Sequence, residues 1–120
     1  MSYDPSNIFA KILRGEIPCK KVYEDDFALA FHDIHPQAPT HILVIPKGPY
    51  VSCEDFVNSA GDEQIIGFYR AVGKVINEAD IVATGYRIIS NAGVNAHQEV
   101  PHYHVHILGG RDLGKMLEKE

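Results

Sequence analysis

Between residues 102 and 106 the chain reads His-Tyr-His-Val-His, so imidazoles alternate with apolar or aromatic side chains. Successive side chains of an extended strand point to opposite faces, which groups His102, His104 and His106 on one side and Tyr103, Val105 and Ile107 on the other. An imidazole is costly to bury unless both ring nitrogens find partners, so three in register mark a functional face rather than a packing accident. Two chemistries use such a face. Neutral imidazole is the commonest metal ligand, and His41 or His97 are available to complete a zinc site, yet the chain has no CxxC pair and no HExxH. The expectation is therefore no metal and no cofactor. The second chemistry is nucleophilic attack at phosphorus, for which an imidazole that titrates near neutrality is suited both as nucleophile and as acid. His104, flanked on its own face by two more histidines, is the natural nucleophile, with His102 and His106 to orient it or hold phosphoryl oxygens. Asn91, Gln98 and the backbone amides from Gly93 to Gln98 lie close in sequence and are candidate donors to the same oxygens.

These residues need elements to carry them. Ser6 is placed to cap a short helix through Ile8, Phe9, Ile12 and Leu13, with Gly15 to end it. Val22 to Glu24 and Phe27 to His32 flank an Asp-Asp turn as in a hairpin, and His41 to Ile45 is a β-rich run stopped by Pro46. Ser52 and Asp55 resemble a capping box before a short helical turn. Asp62 opens the longest helix, to about Ala79, with Ile65, Tyr69, Val72, Val75 and Ile76 as its buried stripe, weakened by Gly67 and Gly73. Tyr86 to Ser90 and Tyr103 to Leu108 are the last two strands. The pattern predicts one α+β domain over residues 1–120, an antiparallel sheet of about five strands with one short and one long helix.

Composition narrows the partners. The chain has 120 residues, is 45% hydrophobic and 22% charged, and carries a formal net charge of -5, which argues against nucleic-acid binding through a basic face. No apolar run approaches a membrane span, and the start Met-Ser-Tyr-Asp-Pro has no leader pattern, so a cytoplasmic protein without a membrane partner is expected. Cys19 and Cys53 form no motif and read as free thiols. Gly109 to Lys115 superficially fits GxxxxGK, but Met116 stands where a P-loop needs Ser or Thr.

The run His102-Tyr103-His104-Val105-His106-Ile107-Leu108 resembles the His-φ-His-φ-His-φ-φ signature of the histidine triad superfamily, where φ is apolar. Asn7 to Ile12, Glu16-Ile17-Pro18, Phe31 to Ile34, Pro36 to Pro46 and Gly109-Gly110-Arg111 are similar to the Hint branch, the histidine triad nucleotide-binding proteins. The resemblance implies a homodimer with a joined antiparallel sheet and a purine nucleoside monophosphate pocket on each subunit. It also implies hydrolysis of nucleoside phosphoramidates through a covalent nucleotidyl-histidine. A nucleotide-binding regulatory module and a dinucleoside polyphosphate hydrolase are the alternatives. Carried over by position, His104 resembles the nucleophile, His102 and His106 its triad partners, and His41 a fourth, supporting histidine. Asp33 is placed like a ribose-hydroxyl acceptor; Ile8, Phe9, Ile12, Phe31 and Ile34, with the neighbouring His32, resemble the purine pocket; and Asn91, His97 and Glu99 fall where relatives contact phosphate. This chain has Glu99 where many relatives carry Ser and His97 where they carry Gly. It lacks a Trp-Pro-Pro-Gly ending, and has Asn7 and Ala10 where zinc-binding members have cysteines.

Overall fold

The middle strands are apolar on both faces, and the architecture shows why. In a computed structural model, described over residues 2–117, the sheet is covered on one side by two helices and on the other by a third. Its strands are β1 (Lys21–Glu24), β2 (Ala28–His32), β3 (Thr40–Pro46), β4 (Tyr86–Ile89) and β5 (Val105–Gly109), in the order β1-β2-β3-β5-β4 with every pair antiparallel. Ala28, Ala30, Ile42, Val44, Val105 and Ile107 face one core with Phe56, Phe68, Val72 and Val75. Leu29, Phe31, Leu43 and Ile45 face the other way and pack on Phe9. Burial on both faces replaces the alternation of a one-sided sheet with continuous apolar runs.

The helices are α1 (Ile8–Leu13), α2 (Cys53–Ser59) and α3 (Asp62–Glu78). Asn7, not Ser6, caps α1: its side-chain oxygen accepts from the Ala10 amide at 2.9 Å, while Ser6 is held by Asp4. The Ser52–Asp55 box opens a full seven-residue helix, so the short helices number two rather than one. In α3 the buried face is Phe68, Ala71, Val72, Val75 and Ile76. Tyr69 is not in that stripe: it is 42% exposed and reaches over the core edge so that its hydroxyl meets that of Tyr103 at 2.8 Å.

The last strand also begins later than its alternation suggests. β5 starts at Val105: its ladder with β3 stops at the Val44–Val105 pair, although β3 itself runs on through Ile45 and Pro46 beside β2. The preceding residues are held otherwise: the chain bends at Pro101 and His102, where the His102 amide donates to the Val100 carbonyl at 2.9 Å, and the Tyr103 amide donates to the Tyr50 carbonyl at 2.7 Å. Tyr103, Val105 and Ile107 nevertheless face the helical core, as the period of two requires.

Candidate active site

On the face of the sheet covered by α1, β3 and β5 bring two histidines together. The pairings Leu43–His106 and His41–Leu108 place His41 diagonally across from His106, and their rings meet with Nε2 of His41 2.9 Å from Nδ1 of His106. His104 follows on the same face, its ring centroid 5.1 Å from that of His106 and edge-on to Phe9 at 4.9 Å. His102 lies deepest, with no exposed surface.

Main-chain partners of His41, His102 and His104, and the His41 ring for His106, determine which nitrogen carries the proton. The Gln37 amide donates to Nδ1 of His41 at 3.0 Å, so neutral His41 is protonated on Nε2 and donates to Nδ1 of His106. His106 therefore carries its own proton on Nε2. In His104 the order is reversed: Nδ1 donates to the His102 carbonyl at 2.7 Å, leaving the Nε2 lone pair free. His102 donates from Nε2 to the Pro46 carbonyl at 3.1 Å and accepts at Nδ1 from the Tyr3 hydroxyl at 2.7 Å. Burial keeps all four rings neutral: His102 and His106 are pushed down to about 4, and His41 and His104 are lowered as well, with the Asp33 carboxylate opposing the shift in His41, His104 and His106. Chemically, the arrangement offers one basic nitrogen, on His104, beside one N–H donor, on His106.

Both rings line a cleft of about 420 Å³ together with Phe9, Asp33, Asn91, His97, Gln98 and Glu99, all singled out from the sequence. His35, Gln37, Ala96 and Val100 complete it. Nothing in the local pattern around those four distinguishes them; proximity of the loop between β2 and β3 to Asp33 is the one available signal. Other expectations are redistributed. Phe31 is closed behind Phe9 in the smaller core, Ile12 packs against that core, and Ile8 and Ile34 are 43% and 80% exposed away from the cleft lining, as is the exposed His32. Phe9 and Val100 are thus the apolar wall. His41 and His102 lie behind the cleft rather than on its lining.

Three of the loop amides between Gly93 and Gln98 are also engaged. Gly93 donates to the Gln98 side chain, Gln98 to the Gly93 carbonyl and His97 to that of Val94. The Gln98 side-chain amide donates to the carbonyls of Val51 and Val100, so Gln98 braces the loop instead of presenting a free donor. Asp33 accepts from the His35 amide with Oδ1 and places Oδ2 3.3 Å from Nε2 of His41.

Asp33, His41 and His106 each present a ligand-capable atom within 4.8 Å of the others. The chemistry of that set fits a hydrogen-bonded relay better than a metal. Nε2 of His41 and Nδ1 of His106 are joined to each other at 2.9 Å, and the remaining His41 nitrogen is taken by Gln37. Zinc at about 2.0–2.1 Å from each nitrogen would have to break that bond. Cys19 and Cys53 are both free and belong to no part of this cluster.

A five-stranded antiparallel sheet carrying this histidine run defines the HIT domain: that family's model matches residues 14–113, and the chain belongs to the family. An uncharacterized 13.2 kDa HIT-like protein of Azospirillum brasilense is 61% identical over 118 residues, 98% of this chain and 97% of its own length. The purine nucleoside phosphoramidase of Escherichia coli strain K12 is 48% identical over 111 residues, 92% of each chain. A solved histidine triad protein from Clostridium difficile superposes with a TM-score of 0.82 at 42% identity, over 95% of this chain and 98% of that one. Among the described residues, no helix is long and apolar enough to cross a membrane.

Proposed function

We propose that the protein is a purine nucleoside phosphoramidase working through a covalent nucleotidyl-His104. The observation that carries this reading is the bond from His104 Nδ1 to the His102 carbonyl, which leaves Nε2 unprotonated in a cleft large enough for a nucleotide. The Escherichia coli relative of that name, 48% identical over nearly the whole chain, supports the substrate class. Nε2 of His104 attacks the α-phosphorus, the P–N bond breaks, and the amine leaves with the electron pair and one proton from the histidine cluster. Water then attacks the nucleotidylated imidazole: the P–N bond to His104 breaks, water's proton returns to the histidine that protonated the amine, and the nucleoside monophosphate leaves with His104 neutral again. The Nε2 proton of His106 meets the nonbridging oxygens, a donor worth a few kcal/mol where charge develops. Asp33 accepts from the ribose hydroxyls, Asn91, His97 and Glu99 border the phosphate, and Phe9 and Val100 flank the purine of an adenosine or guanosine derivative.

Homodimerisation through β4 accompanies this reading, supported by the exposed Tyr86 and Ile88 on a strand paired on one side only among the described residues. Mixing the protein with a phosphoramidate labelled on its phosphorus and quenching within one turnover traps the label on His104. His104→Ala abolishes turnover while retaining nucleotide affinity by titration calorimetry. Turnover at the wild-type rate in that variant excludes the mechanism. Binding without any trapped label in the wild type favours the regulatory module instead.

A further inference from the structure

The bond that orients His104 depends on residue 102, and residue 102 is held from outside the HIT domain match. His102 is fully buried, and both ring nitrogens are engaged: Nε2 by the Pro46 carbonyl at 3.1 Å and Nδ1 by the Tyr3 hydroxyl at 2.7 Å. Tyr3 precedes the matched span of residues 14–113. Its ring stands edge-on to His102, centroids 5.6 Å apart at 68°.

The segment bearing Tyr3 is fastened to the start of α1. The Asp4 carbonyl accepts from the Asn7 side chain at 2.8 Å and from its amide at 3.3 Å. The Asp4 carboxylate accepts from the Ser6 amide at 2.9 Å and hydroxyl at 2.7 Å, and Arg14 donates to the Pro5 carbonyl at 2.9 Å. Asn7 also caps α1, whose Phe9 packs edge-on against both His102 and His104. The Tyr3 hydroxyl therefore arrives at His102 on a braced turn. Without it, Nδ1 of His102 is a buried acceptor with no donor, a state relieved by rotating the ring or moving its proton. Either change disturbs the same residue whose carbonyl holds His104.

We propose that Tyr3 is a positioning residue for His104: by donating to Nδ1 of His102 it holds residue 102 so that the His102 carbonyl keeps the His104 proton on Nδ1. The inference rests on His104 as the nucleophile for its catalytic consequence, but the position of the proton is observable on its own. Tyr3→Phe removes the hydroxyl and keeps the ring. Two readouts follow: steady-state hydrolysis of adenosine 5′-phosphoramidate, and long-range proton–nitrogen NMR correlation of histidine-labelled protein, which reports which nitrogen of His104 is protonated.

The expected result is a fall in kcat of about tenfold, the effect of one misplaced hydrogen bond, with KM nearly unchanged and His104 no longer purely Nδ1-protonated. Tyr23→Phe, which removes a hydroxyl bonded to Asp25 at 2.9 Å away from the cleft, leaves both readouts at their wild-type values. Wild-type kcat in Tyr3→Phe, or a His104 still wholly Nδ1-protonated, overturns the proposal. A lowered melting temperature with both readouts intact does the same, since it marks a purely structural role. Should the wild type fail to cleave the phosphoramidate, the proposed function falls, and the NMR arm alone decides whether Tyr3 positions His104.

Discussion

His104 and His106 are the same residue two positions apart, yet their partners give them opposite protonation patterns. A carbonyl opposite Nδ1 makes His104 a base at Nε2; a donor opposite Nδ1 makes His106 a hydrogen-bond donor there. That second assignment is relayed from the Gln37 amide through His41. His41→Leu removes the donor at roughly constant volume and leaves Nδ1 of His106 unpaired, so turnover falls about tenfold. His41→Gln, whose amide reaches a similar position, recovers part of it. A His41→Leu enzyme as fast as wild type shows that His106 needs no relay. The alternation in the sequence was enough to single out His104 and His106. It marked His104 as the central ring but could not separate His106 from His102, because Tyr3 and Pro46, which close off His102, come from remote parts of the chain.

At the scale of elements, the two glycines that weaken α3 by composition turn out to differ. A Cβ on Gly67 would stand 2.3 Å from the Phe27 ring, so this glycine lets the helix approach the start of β2, whereas a Cβ on Gly73 meets nothing within 4 Å. Gly67→Ala therefore destabilises by about 1–3 kcal/mol through overpacking, and Gly73→Ala stabilises by up to about 1 kcal/mol through helix propensity. Urea unfolding of the two variants should give shifts of opposite sign; equal shifts would mean that Phe27 does not set the helix position. The strands and the long helix were legible from their periodicity and turn residues. Val72, Val75 and Ile76 were placed correctly on the buried face of α3, whereas the start of β5 and the exchange of Tyr69 for Phe68 were not legible, since they depend on which backbone lies beside residues 102–104 and on how the helix rotates to meet the sheet.

Across the whole molecule, the neutral buried histidines tie stability to pH. In the unfolded chain an imidazole takes up its proton near pH 6.5, whereas folded His102 and His106 resist until about 4. Between those values the unfolded state binds more protons, so stability is fully present above the ordinary imidazole range and is lost as pH falls through the window. The slope reaches about 1.4 kcal/mol per pH unit for each imidazole that titrates only when unfolded. Glu24, held at about 2 by Lys21 and Lys47, adds its own loss only at lower pH. Chemical denaturation between about pH 7.5 and pH 4.5 measures this. A flat profile would mean that the histidines are not buried in their neutral form. What the amino-acid sequence determined by itself was local: an extended run with imidazoles on one face, apolar residues on the other, and the helices and turns around it, all readable from spacing along a single segment. Only the tertiary structure decided which of the outer imidazoles is donor and which is support, because a ring's proton goes where its partners require: the bond that frees Nε2 of His104 is local, to the His102 carbonyl, but His106 is set by His41 and His102 by Tyr3 and Pro46, which are distant in the chain and adjacent only after folding.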